Sequence, residues 1–133
     1  MKVLVISFAY SMGMPVDAED GCEDGFVFDC RALPDPFFEE GLSEYSGLDQ
    51  PVIDFFERHK EQVCRFLDAA ESRVRQSIED RLKAREGHLL VAFGCHGGLH
   101  RSVYLAERFA ERLTSIKGVK IEVKHTARQY WDV

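Results

Sequence analysis

The stretch His88-Leu-Leu-Val-Ala-Phe93-Gly-Cys95-His-Gly-Gly-Leu-His100-Arg-Ser-Val-Tyr104 decides the fold of this 133-residue chain. Leu89 to Phe93 is apolar on both alternating faces, as a strand buried inside a parallel sheet must be. A loop with a glycine pair follows. From Arg101 to about Ile116, Val103, Ala106, Phe109, Ala110 and Leu113 recur at helical spacing and predict a helix with one buried side. A buried strand that turns through glycines into an amphipathic helix is the building unit of an α/β sheet.

The flanking sequence extends the same alternation. Lys2 to Phe8 reads as a second buried strand and Phe26 to Asp29 as a short third one. Between them, Asp17 to Gly25 is acidic and reads as an exposed loop. Pro34 and Pro36 exclude a helix after Arg31, because each proline removes a donor and fixes φ. Asp49 is placed to cap a short helix beginning near Pro51, with Val52, Phe55 and Phe56 inward. The longest helix is expected from about Lys60 to Arg85, since Val63, Phe66, Leu67, Ala70, Val74, Ile78 and Leu82 share a face, and Gly87 is expected to end it. Gly118 stops the later helix, and Val119 to His125 alternates as a last strand. The pattern predicts one domain over 1–133: an α/β, three-layer, Rossmann-like sheet of about four mostly parallel strands flanked by helices.

Composition narrows the classes of function. Hydrophobic residues make up 45% and charged residues 30%, an ordinary globular balance. The longest apolar runs, Val3–Ile6 and Leu89–Phe93, are far shorter than the roughly 20 residues of a membrane span, and no stretch reads as a signal peptide. A soluble, cytoplasmic domain with no membrane partner is therefore expected. The net charge of −6 is unevenly spread: residues 1–56 hold two bases and 12 acids, residues 57–133 hold 15 bases and 11 acids. That distribution is unlike the footprint of a general nucleic-acid binder. Cys22, Cys30, Cys64 and Cys95 lack CxxC spacing and read as idle thiols in a reducing compartment. Neither the acidic 17–24 stretch nor His96, His100 and His125 has metal-ligand spacing, so no metal and no cofactor is expected.

Ligands of open α/β sheets bind beyond the carboxyl ends of the strands. Those ends are Ser7-Phe8, Asp29-Cys-Arg31 and Gly94-Cys95. In the last of them, Gly97 and Gly98 let successive N–H groups converge, and the helix that follows adds the positive end of its dipole. Arg101 contributes a planar fork suited to two phosphate oxygens, with Cys95, His96, His100 and Ser102 at the same mouth. Together these residues fit a dianion such as a phosphate monoester. A plainer alternative is a tight turn with Arg101 paired to an acid such as Asp29. A catalytic alternative uses the Cys-x5-Arg spacing of Cys95 and Arg101: a thiolate attacks phosphorus, the arginine holds its oxygens, and Asp17, Asp29 or Asp35 protonates the leaving group. A third reading sets Lys117, Lys120, Lys124 and Arg128 against RNA phosphates.

The residues also resemble a known family. Gly94-Cys95-His96-Gly97-Gly98-Leu99-His100-Arg101-Ser102-Val103 is similar to the phosphate-loop pattern of the C-terminal domain of RapZ, the RNase adaptor family, and its YvcJ-type relatives. Ser7-Phe8 with Gly13-Met14-Pro15-Val16-Asp17-Ala18, Phe28-Asp29-Cys30-Arg31-Ala32-Leu33-Pro34-Asp35-Pro36, Gly47-Leu48-Asp49-Gln50-Pro51-Val52 and His125 follow in collinear order. The resemblance implies an α/β domain with a pocket for a phosphorylated ligand, and associates it with small regulatory RNA and with sensing of glucosamine 6-phosphate. The chain departs from the pattern at His96, Leu99 and Phe37, where the family carries Thr, Lys and His. It also has no Gly-x4-Gly-Lys-Ser/Thr, so the nucleotide-binding module of the full-length family does not carry over. The reading is thus a regulatory, non-catalytic domain for a sugar phosphate, nucleotide sugar or similar compound. The 95–102 loop holds the phosphate, while Ser7, Asp17, Asp29, Arg31 and His125 line the rest of the pocket. A homo-oligomer stays open.

Overall fold

The computed structural model describes residues 1–14, 25–85 and 87–131. Asp17 and the acidic 17–24 stretch lie outside the described residues. Strands β1 (Lys2–Ala9), β2 (Gly25–Asp29), β3 (His88–Cys95) and β4 (Lys120–His125) alternate with helices α1 (Gln50–Glu57), α2 (Lys60–Ala84) and α3 (Arg101–Leu113). The strands form one sheet in the order β2-β3-β1-β4, and every pair is parallel. The two strands that are apolar on both faces, β1 and β3, hold its centre. The edge strands β2 and β4 expose alternate residues. Sequence pattern and sheet position therefore agree: only strands covered on both faces keep unbroken apolar runs.

All three helices feed one core. Val3 and Val5 of β1 and Leu89, Val91 and Phe93 of β3 meet Val52 and Phe56 of α1, Leu67 and Val74 of α2, and Leu105 and Phe109 of α3. Leu4, Ile6, Phe8, Leu90 and Ala92, on the other face, form a smaller cluster against which Tyr10 packs. Topology accounts for this. The crossovers from β2 to β3 and from β3 to β4 both travel in the same direction across the sheet, and right-handed connections place such helices on the same side. Among the described residues the helical layer thus lies on that one face.

Local details differ from the sequence pattern in three places. α2 ends at Ala84, one residue short of the expected Arg85, and the left-handed residue that stops it is Arg85 (φ 58°) rather than Gly87; Arg85 N–H donates to the Leu82 carbonyl. α3 ends at Leu113, before Ile116. Asp49 stands at the start of α1 without capping it: its Oδ2 accepts from Ser46 N–H at 2.7 Å, bracing the turn before the helix. The segment between β2 and α1, which lacks a periodic pattern, contains two 3-10 turns, Pro36–Phe38 and Leu42–Glu44. Among the described residues no helix is long and apolar enough to cross a membrane, and no three His, Cys, Asp or Glu side chains are grouped to hold a metal.

Candidate phosphate-binding site

The parallel register carries β3 to the carboxyl edge of the sheet, where Cys95 lies beside Ala9 and Cys30 N–H donates to the Gly94 carbonyl at 2.8 Å. The loop that follows is held by its carbonyls. Ser11 N–H donates to His96 O (3.2 Å), Trp131 Nε1 to Gly98 O (3.0 Å), Gly47 N–H to Leu99 O (2.8 Å) and Tyr104 N–H to His100 O (3.0 Å). Among the described residues, none of the N–H groups from Gly97 to Ser102 donates to a backbone carbonyl. The loop is therefore pinned on its acceptor side, with its donors unspent at the N-terminus of α3.

Two glycines make this arrangement possible. Gly98 has φ +67°, and a Cβ there would come 2.9 Å from Ala127 Cβ and 3.0 Å from Ala9 Cβ. A Cβ on Gly47 would lie 2.6 Å from the His100 carbonyl oxygen, so only glycine lets the 46–48 turn reach the start of α3. His100 is buried, and its Nε2 lies 3.0 Å from the Leu42 carbonyl. A carbonyl can only accept, so Nε2 carries the proton. Burial pushes this imidazole below its usual pKa, with the Tyr45 and Leu42 carbonyls pulling the other way.

Arg101 is 8% exposed, and its fork is partly committed. Nη1 donates to the carbonyls of Arg31 (2.7 Å) and Leu33 (3.4 Å), and Nη2 lies 3.2 Å from Asp35 Oδ2. The acid beside it is Asp35 rather than Asp29. A guanidinium has five N–H donors, so these contacts leave donors over while locking the side chain in place. Cys95 is 3% exposed and its Sγ donates to Ser102 Oγ at 3.1 Å, on the core side of the loop. Burial also pushes the neighbouring Cys30 thiol well above its usual pKa, and Cys95 adds to that.

An open cavity of about 550 Å³ lies against this loop. Cys95, His96, Gly97, His100 and Arg101 form one side of it, and Asp35, Phe37, Phe38 and Leu99 complete it. Five of the expected residues are thus brought together. Gly98 is instead wedged between Ala9 and Ala127, and Ser102 sits behind Cys95. Asp29 and Arg31 pair with each other on the surface through two-pronged contacts of 2.8–3.1 Å, and Arg31 stacks over Tyr10. That bond to Arg31 holds the Asp29 carboxyl below its usual pKa. Ser7 and His125 occupy a separate buried chain, with Nδ1 of His125 2.6 Å from Ser7 Oγ and Nε2 2.8 Å from Glu107 Oε1. Neither pair is part of the cavity wall. Phe37 and Phe38 are the lining residues that motif reasoning passes over. Two consecutive aromatics in an acidic, proline-bounded loop are the signal that marks them.

Comparison with known proteins adds to the geometry. The family described as the RapZ C-terminal domain matches residues 1–129. A "nucleotide-binding protein" of Mannheimia succiniciproducens is 36% identical over 125 residues, covering 94% of this chain and 40% of that protein. An "RNase adapter protein RapZ" of Yersinia pseudotuberculosis is 38% identical over 119 residues, covering 90% of this chain and 39% of that protein. A "nucleotide-binding protein" of Pseudomonas putida is likewise 38% identical over 119 residues. The chain spans about 40% of the length of these relatives.

Proposed function

Because the chain belongs to the RapZ C-terminal domain family, we propose that it is a cytoplasmic regulatory domain that binds a phosphorylated small molecule in the cavity beside the 95–101 loop. The observation that carries this reading is the one-sided anchoring of the loop. Four carbonyls between His96 and His100 are engaged, while the N–H groups from Gly97 to Ser102 bond to no carbonyl among the described residues. These donors, the dipole of a 13-residue helix and the remaining donors of Arg101 suit a phosphate dianion. The reading is kept to binding, with Cys95 only 3% exposed and packed against Ser102. RNA is not part of it, because the half of the chain that contributes Asp35, Phe37 and Phe38 is strongly acidic.

Calorimetric titration with sugar phosphates and nucleotide sugars tests the proposal. Arg101→Ala should weaken binding at least about tenfold, the scale of a lost charge-assisted hydrogen bond. It also removes the contacts to Arg31, Leu33 and Asp35, so Leu99→Lys serves as a second variant. A cation added at the lip should tighten binding a few-fold. Unchanged affinity in both variants would overturn the assignment.

A further inference from the structure

Phe37 and Phe38 follow Pro36 in a turn whose start is capped by Asp35, and they are 58% and 84% exposed. Two phenyl rings standing in water beside a polar cavity are an apolar surface that calls for an occupant. They meet edge to face, with centroids 5.5 Å apart and planes at 88°, so they present differently oriented faces. Both line the same cavity as His96, Gly97 and Arg101, and its volume falls in the roughly 300–1,000 Å³ range of small-ligand sites.

The polar side chains lining this cavity are Asp35, His96, His100 and Arg101, and some are already committed. Asp35 accepts from Phe37 N–H through Oδ1 and faces Arg101 through Oδ2, while His100 is turned to Leu42. Phe37, Phe38 and Leu99 supply the apolar part of the lining. It offers flat π surface and no side-chain donor or acceptor for sugar hydroxyls. An occupant that matches both kinds of lining carries a phosphate and a planar aromatic group.

We propose that the cavity takes a nucleoside monophosphate, with the phosphate on the 96–101 loop and the base against the Phe37 and Phe38 rings. The inference rests on the phosphate-binding reading above and adds the class of group attached to the phosphate. The 5′-phosphorylated end of an RNA offers the same chemistry, so the test separates the two sources. The whole chain is titrated with AMP, ribose 5-phosphate, inorganic phosphate and a 5′-phosphorylated oligoribonucleotide, as wild type and as Phe38→Ala and Phe38→Trp. AMP should bind about tenfold or more tighter than ribose 5-phosphate, the scale of one base stacked on an aromatic ring. Phe38→Ala, at an exposed position that leaves the fold intact, should lower AMP to the level of ribose 5-phosphate without changing the latter, and Phe38→Trp should restore the difference. Equal affinity for AMP and ribose 5-phosphate overturns the base site and leaves the phosphate reading standing. Binding of the oligoribonucleotide without AMP overturns the free mononucleotide in favour of an RNA end. No binding of any of the four removes both readings.

Discussion

His100 shows how one side chain links the site to pH. Its burial favours the neutral ring, so its folded pKa lies below the unfolded value of about 6.5. The stability this provides is complete above about pH 6.5 and is lost as pH falls through the lowered folded value. Urea midpoints measured between pH 8 and 5 should therefore decline below about 6.5, and His100→Asn, which keeps a donor for Leu42, should flatten that decline. Gly98 makes a second demand at the same scale. Gly98→Ala forces a Cβ into a left-handed residue and against Ala9 and Ala127, and should cost about 1–3 kcal/mol by chemical denaturation. Gly97→Ala meets no atom within 4 Å and should cost far less.

At the scale of elements, sequence periodicity locates helices better than it locates their ends. The face from Val63 to Ile78 defines α2 and is buried or half-buried, whereas Leu82, expected on the same face, is exposed. Its end is set by backbone hydrogen bonds at Leu82 and Arg81, which place the left-handed residue at Arg85 although Gly87 is two residues on. Arg85 holds that conformation against its Cβ, so Arg85→Gly should raise stability by about 0.5–1 kcal/mol in thermal or urea melts. The site divides in the same way. The loop from Cys95 to Arg101 is contiguous, and its glycine, histidine and arginine chemistry is legible in the chain. Ser7, Asp29, Arg31 and His125 also stand at strand ends, but strand-end position alone does not say which acid meets which base. Asp29 and Arg31 are two residues apart and close on each other, leaving Asp35 for Arg101. Phe37 and Phe38 reach the cavity through an irregular segment, where no periodicity reports direction.

At the scale of the whole molecule, the parallel sheet was legible because β1 and β3 are apolar on both faces; the sequence pattern predicts helices on both sides of it, and among the described residues all three contribute to one core. Which side the helices cover is not written in any residue pattern; it follows from strand order and crossover handedness. Phe93 sits where the layers meet, fully buried and within 5.1–6.4 Å of the rings of Phe109, Phe28 and Phe66. Phe93→Ala should cost about 3–5 kcal/mol, a large part of the stability of a domain this size, and a fall in melting temperature checks it. Two further links tie the site to distant parts of the chain. Ser11 and Trp131 hold the loop through His96 and Gly98 from opposite ends of the sequence. The binding surface proposed above, shaped in advance this way, has little rearrangement to complete on encounter. Capture should then proceed at similar speed for related ligands, and selectivity should be expressed in residence time.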